Sequence, residues 1–191
     1  MKKAVSENYT KINHILTKAF VNNKSVNFVL KQKNEKYISS LMDYSLYMGK
    51  KFGDIFLNEK ETACAILIDH KKKKTTLGTL IRDIKFACCV SGLKNAYKVV
   101  KKERITHETL PKNIDFIQLW FLGVDVLQQG KGKGTDFLQE LIEYYKGKKE
   151  AIVLETSTVK NIKFYEKNGF EIYCVNKEDF GFDFYFFIYR Y

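Results

Sequence analysis

The sequence predicts a mixed α/β domain, and three observations predict it. Ile117–Val126 is an apolar run rich in Val, Leu, Phe and Trp, too short to cross a membrane and composed like a buried strand. A turn with Gly130, Gly132 and Gly134 at alternate positions follows, and Phe137, Leu138, Leu141, Ile142 and Tyr145 then share one helical face. Ala151–Leu154 is a second unbroken apolar run, the mark of a strand covered on both faces.

The remaining elements follow in order. Ala4 and Val5 are the only apolar residues of a weakly marked first strand. Ile12, Ile15, Leu16, Ala19 and Phe20 give a helix over Tyr9–Phe20, and Ser25–Gln32 reads as a short second one. Ile38, Leu41, Met42, Ser45 and Met48 repeat the pattern within Glu35–Lys50, and Gly53 ends it. Asp54–Asn58 and Thr62–Asp69 read as a hairpin with a tight polar turn. Lys71–Lys74 reads as a solvated loop. Leu77, Leu80, Ile81, Ile84 and Cys88 form one helical stripe and Leu93, Ala96, Tyr97 and Val100 another, broken by Ser91-Gly92. Beyond the glycine turn, Gly147 offers a stop, and Thr156–Thr158 can cap a helix over Val159–Lys167. Asn168-Gly169 closes that helix, and Phe170–Val175 and Phe182–Tyr191 are the last strands. No linker, repeat or shift of composition divides residues 1–191, which read as one domain.

Composition narrows the function classes. Hydrophobic residues at 45%, with 15% aromatic, are enough for a packed core and exclude a disordered chain. No stretch has the roughly 18 unbroken apolar residues of a membrane span, and MKKAVSENYT has no apolar segment of the kind a secretory leader needs. Cys64, Cys88, Cys89 and Cys174 lack metal-ligand spacing and read as reduced thiols, so a cytoplasmic protein with no metal site is expected. The net charge of +11 comes almost entirely from lysine. Arginine, the preferred fork for bases and phosphates, occurs only as Arg82, Arg104 and Arg190, which argues against a nucleic-acid partner. A basic surface also suits a ligand with several phosphate charges.

A strand, a glycine turn and a helix bring unpaired backbone N–H groups and a helix N-terminus to one place, which is an anion site. Two familiar phosphate patterns fail here. Gly134 is followed by Thr135 with no lysine between, so the turn is not a Walker loop. Five residues after Gly130 and Gly132 stand Thr135 and Phe137, so the dinucleotide fingerprint is absent. What does fit is Gln-x-x-Gly-x-Gly ending in Gly134, preceded by LGVDV. Farther on, Asn161, Tyr165, Gly169 and Phe170 stand in LETSTVKNIKFYEKNGFEIY.

The two motifs together, in this order, closely resemble the GCN5-related N-acetyltransferase (GNAT) family over Ile117–Tyr173. One departure is Val126, where many relatives have Pro. The resemblance implies a mixed, mostly antiparallel sheet flanked by helices, with two splayed central strands opened by a bulge. It implies acetyl-coenzyme A as cosubstrate and an amine acceptor, a small molecule or a peptide, with no membrane partner and a monomer or homodimer. The pantetheine arm would pair with backbone near Val124 and Val126. Its pyrophosphate would lie on Gln129, Gly130, Lys131, Gly132, Lys133, Gly134 and Thr135, and Asn161 would bond the pantetheine or adenosine part. Residues 114–175 would be the coenzyme core, and helical segments 1–52 and 75–110 would shape the acceptor site. A backbone N–H near Leu122–Val124 would serve the developing oxyanion, and Tyr165 would be the general acid. Glu155, at the end of its strand, is the favoured base. Asp115, Asp125, His107 and Glu108 are the other candidates. Trp120 and Phe121 are expected on opposite faces of the strand, because side chains alternate. Two rival readings are a non-catalytic coenzyme A-binding module and a basic nucleic-acid binder.

Overall fold

The computed structural model describes residues 1–191, the side chain of Leu93 excepted. A seven-stranded sheet runs through it in the order β1-β2-β3-β4-β5-β7-β6. The strands are β1 (Lys2–Lys3), β2 (Gly53–Leu57), β3 (Ala63–Ile68), β4 (Phe116–Val124), β5 (Ala151–Thr156), β6 (Glu171–Asn176) and β7 (Phe184–Arg190). β4 and β5 run parallel, and every other neighbouring pair is antiparallel. The helices are α1 (Tyr9–Ala19), α2 (Lys24–Val29), α3 (Glu35–Phe52), α4 (Leu77–Lys85), α5 (Leu93–Thr109), α6 (Lys133–Tyr145) and α7 (Lys160–Lys167). The expected order of elements is therefore present. Two edges differ. The first strand is Lys2–Lys3 rather than Ala4 and Val5. β4 stops at Val124, and Val126–Gln128 form a 3-10 turn because the Asp125 carboxylate accepts from the Leu127 N–H at 2.9 Å.

Both faces of the sheet are covered. On β3, Cys64 and Ile66 join a cluster with Ile12, Leu16, Met42 and Leu46 of α1 and α3, while Ala65 and Leu67 join one with Phe137 and Leu141 of α6. That is the period-two pattern of a strand buried on both sides.

The feature that positions the site is the parting of β4 from β5. They pair only where Phe116, Ile117 and Gln118 face Ala151, Ile152 and Val153. On its other edge β4 pairs with β3 from Gln118 to Val124. In that ladder Ile66 faces Phe121 and Leu67 faces Leu119, which leaves Trp120 as an extra residue on β4. Such a bulge bends the strand. It also overturns the expectation for Trp120 and Phe121. Both pack on the α1–α3 side, with ring centroids 5.2 Å apart, because the bulge interrupts alternation between them. The closed end of the parting is tied by Lys149, whose ammonium lies 3.0 Å from Asp69 and 2.8 Å from Asp115.

The helices between β3 and β4 also depart from expectation. Thr76 and Thr79 form a reciprocal cap that starts α4. Yet the stripe of Leu77, Leu80, Ile81 and Ile84 faces solvent, and Phe86, in the π-helical turn Phe86–Ser91 that follows, enters the core instead. On α5, Tyr97 and Val100 are exposed, while Val99 and Ile105 pack inward. The side chain of Leu93, the first residue of that predicted stripe, lies outside the described residues.

Candidate active site

Where β4 and β5 separate, a cavity of about 200 Å³ opens between the strands and the helices above them. The second half of β4, the end of β5 and α7 line it, together with residues of α2, α3 and α5. The helices are fastened over the strands locally. Asn23 caps α2 by accepting from the Val26 N–H at 3.0 Å, and the Ser25 N–H donates to Ser157 Oγ at 3.1 Å, joining α2 to the loop after β5.

Glu155, Asn161 and Tyr165 all line this cavity. Asn161 and Tyr165 lie on one face of α7, four residues apart. The Tyr165 ring is buried against Phe164, Phe170 and Phe187, with centroids 5.0 to 5.7 Å away, so the side chain is both packed and presented to the cavity. Burial, and after it the nearby charge of Glu155, push its phenol well above the ordinary tyrosine value.

Glu155 is held from across the wedge. Gln118 Nε2 donates to its carboxylate at 2.9 Å, and Gln118 Oε1 lies 2.6 Å from His70 Nε2. The amide oxygen requires His70 to carry its proton on Nε2. Burial raises the pKa of Glu155, opposed by the positive charge of Lys102 and the bond from Gln118. Burial lowers that of Lys102, opposed by Glu155 and Glu103. Lys102 reaches into the cavity from α5 with its ammonium 5.4 Å from the centroid of the Phe184 ring. Burial also lowers the pKa of His70, with the Gln118 bond acting against it. On β6, the Tyr173 hydroxyl is buried without a hydrogen-bond partner among the described residues, and burial followed by the Glu155 charge raises its pKa.

Sequence reasoning missed His70, Lys102, Gln118 and Tyr173. Gln118 left a readable signal, being a lone amide inside an apolar strand, where a buried polar group needs a partner. Lys102 sits three residues from both Val99 and Ile105, on the inward face of α5 that the chosen stripe did not mark. The other base candidates lie elsewhere. Asp115 pairs with Lys149 and Lys71, Asp125 caps its own turn, and Glu108 is an exposed partner of Arg104. His107 lines the cavity but is exposed.

The glycine loop lies at the far end of β4. Gly130 and Gly132 have φ of 74° and 76°, left-handed values that other residues rarely adopt. A Cβ on either would meet nothing within 4 Å, so the ground in front of the loop is open. The first helical bond of α6 runs from the Asp136 N–H to the Gly132 carbonyl, at 3.0 Å. The N–H groups of Lys133, Gly134 and Thr135 have no acceptor among the described residues. Open space and free donors together fit a pyrophosphate. The lysines fit it less directly. Lys131 Nζ donates to the Leu127 carbonyl at 2.8 Å and Lys133 lies 3.5 Å from Asp136. Gln129 Nε2 donates to the Val124 carbonyl at 3.0 Å, bracing the turn, while Val126 is outside the strand and 50% exposed.

With this geometry in view, comparisons with known proteins are decisive for the fold. Residues 103–170 match the model of the acetyltransferase (GNAT) family. That segment is similar to the GNAT family, and the solved structures that follow share the fold of the whole chain. A solved structure described as histone acetyltransferase HPA2 and related acetyltransferase, from Corynebacterium glutamicum, superposes with a TM-score of 0.70 at 15% identity, covering 99% of this chain and 94% of that one. Arylalkylamine N-acetyltransferase 2 from Aedes aegypti gives 0.64 at 12% identity, covering 99% and 97%. Ribosomal-protein-S18-alanine N-acetyltransferase from Escherichia coli gives 0.53 at 15% identity, covering 99% and 91%. No curated protein matches the sequence. The match takes in β4, the glycine loop, β5 and α7, so the matched segment contains Gln118, Glu155 and Tyr165 as well as the loop.

Proposed function

We propose that this protein is a GNAT-type N-acetyltransferase that moves an acetyl group from acetyl-coenzyme A to an amine held in the wedge between β4 and β5. The observation that carries the proposal is the meeting of Glu155 and Tyr165 in one cavity, beside the edge of β4 that β5 leaves unpaired. Both sit in apolar surroundings that hold each in its protonated form to a higher pH than in water.

The coenzyme would supply an activated acetyl thioester. The free N–H groups of Lys133, Gly134 and Thr135, with Gly130 and Gly132 in front of them, would hold its pyrophosphate, and Asn161 would bond its arm. An alkylammonium has a pKa of about 10, so it must lose a proton before it can attack. Glu155 would take that proton, directly or through water. Backbone N–H groups on the free edge of β4 would stabilise the oxyanion in a site where few waters compete. The Tyr165 hydroxyl would donate a proton to the departing sulfur. The acceptor would reach the wedge under α2, α3 and α5, whose apolar walls favour a compact amine over a polycation. Four unpaired cysteines accord with a reducing, cytoplasmic setting.

The test joins binding and turnover. Acetyl-coenzyme A at a hundredfold excess over its dissociation constant should stabilise the fold by about 2.7 kcal/mol. A panel of small amines should then release free thiol. Gly132→Asp should remove the thermal shift while leaving the circular dichroism spectrum intact. The left-handed angle costs the variant about 1 kcal/mol, and the new carboxylate repels phosphate. A protein that neither shifts its melting temperature with the coenzyme nor gives a calorimetric signal at millimolar concentration is not an acetyltransferase of this kind.

A further inference from the structure

We infer that the acceptor carries a carboxylate as well as its amine, and that Lys102 binds that carboxylate in the cavity. The inference rests on the acyl-transfer reading and names the acceptor class, an amino acid with an apolar side chain. Four charged residues line the cavity besides its two histidines: Lys73, Lys102, Glu103 and Glu155. Lys73 and Glu103 are paired with each other at 2.6 Å. Glu155 accepts from Gln118 at 2.9 Å. His70 is engaged by Gln118, and His107 is exposed. That leaves the Lys102 ammonium, with neither a hydrogen bond nor an ion pair among the described residues. Its neighbour Lys101 takes the opposite course. Lys101 turns away to Asp179, 3.0 Å from the carboxylate and 2.8 Å from the backbone carbonyl oxygen. Lys102 lies between Val99 and Ile105 on the inward face of α5, which directs it to the cavity.

The chemistry around Lys102 selects the occupant. The Phe184 ring, 5.4 Å from the ammonium, attracts the charge but offers no lone pair to its three N–H donors. A charge in apolar surroundings is unfavourable until it is paired and hydrogen-bonded. A ligand carboxylate supplies both. Phosphate is a poorer match, since it would bring about two negative charges beside Glu155 against one ammonium. A polyamine would set a second cation against Lys102, which repels. An amino acid meets an opposite charge at each end, its amine toward Glu155 and its carboxylate toward Lys102. The two protein groups feel each other's charge without forming an ion pair, so a ligand can bridge them. Val26, Val29, Leu41, Phe86 and Trp120 line the same cavity and suit an apolar side chain.

The experiment is calorimetric titration of the intact protein, with and without coenzyme A, using two matched pairs of acetylated probes. The pairs are N-acetyl-leucine against N-isoamylacetamide and N-acetyl-phenylalanine against N-phenethylacetamide. No probe has an ionisable amine, so within each pair the carboxylate is the only difference. The carboxylated member should bind at least about tenfold more tightly, the scale of a hydrogen bond to a charged group. Lys102→Met, similar in length and uncharged, should bring the two members to within about threefold of each other. Lys102→Arg should keep most of the preference, which a merely structural lysine would not require. Turnover gives a second readout. The ratio of kcat/KM for leucine over isoamylamine should fall by at least about tenfold in Lys102→Met, mainly through KM. Any effect of Lys102 on Glu155 acts on both amines alike and cancels in that ratio. Equal binding within each pair, no binding by any probe, or an unchanged preference in Lys102→Met overturns the inference. Calorimetry needs no turnover, so it separates this inference from the reading beneath it. A carboxylate preference lost in Lys102→Met, with no amine acetylated, upholds the carboxylate site and overturns the acyl-transfer reading. Acetylation of both amines without any carboxylate preference does the reverse.

Discussion

The two edges of β4 carry opposite instructions. Toward β3, the strand pairs from Gln118 to Val124, absorbs a bulge at Trp120 and continues. Toward β5, it pairs through Gln118 and then parts. The same residues thus serve one edge as structure and the other as site. The difference lies in what surrounds each edge. β2, β3 and β4 form an antiparallel run covered by α1 and α3 on one face and α6 on the other, so parting would expose apolar surface. At the β5 edge, Glu155, Gln118 and Lys102 bring charge and amide groups into the gap. A buried charge needs partners and space, and the parting supplies both.

The largest expected effect comes from removing the charge on the open edge. Glu155→Gln keeps the shape and can still accept from Gln118 Nε2. It should cut kcat by about 10²- to 10⁴-fold, the range for losing a general base, with coenzyme binding unchanged. Stability should respond in the opposite sense. Burial raises the folded pKa of Glu155 above its unfolded value, so the native state binds the extra proton and stability falls as pH rises between the two values. Glu155→Gln lacks that fall, and near neutral pH it should melt no lower than the parent. A variant that retains full turnover would move the base elsewhere in the cavity.

A smaller effect is expected at Tyr165. Tyr165→Phe keeps the ring against Phe164, Phe170 and Phe187 and removes only the hydroxyl. A thiolate with a pKa near 8.5 is already a fair leaving group, so kcat should fall by about ten- to a thousandfold. An equal fall in kcat and kcat/KM would mark an interaction made only in the transition state. Normal turnover, with the chemical step shown to be rate-limiting, would reduce Tyr165 to a packing residue.

How much of this was legible in the sequence depended on whether a residue's role is local. Glycines at 130 and 132 declare a backbone that turns through left-handed angles, and the strand and helix on either side follow from periodicity. Tyr165 and Asn161 share a helix face by spacing alone. What could not be read was set by neighbours distant in sequence. Gln118 meets His70 and Glu155 across three different segments, 48 and 37 residues away. Trp120 and Phe121 share a side because of a bulge that alternation gives no means of locating. The stripe on α4 had the period of a core helix, and periodicity identifies an apolar face without saying what covers it.

The smallest effect is expected at Gln118, and its direction tests Glu155 as the base against His70, the other partner of Gln118 in the cavity. Gln118 lies at the last paired position of β4 and β5 and touches both Glu155 and His70. Gln118→Leu removes both hydrogen bonds while keeping an apolar side chain of similar length. Some loss of stability follows, because two buried groups lose a partner, and that loss alone says nothing of mechanism. The pH profile does. The Gln118 N–H bond stabilises the Glu155 carboxylate, so without it the pKa of Glu155 rises further. The Gln118 carbonyl stabilises a protonated His70, so without it the pKa of His70 falls further. If Glu155 is the base, the ascending limb of kcat/KM against pH should move to higher pH in Gln118→Leu, with about a tenfold loss of rate below the limb. If His70 is the base, the same substitution should move the limb to lower pH. A limb that stays in place, with turnover reduced evenly across the range, would leave Gln118 a structural strut and detach it from proton transfer.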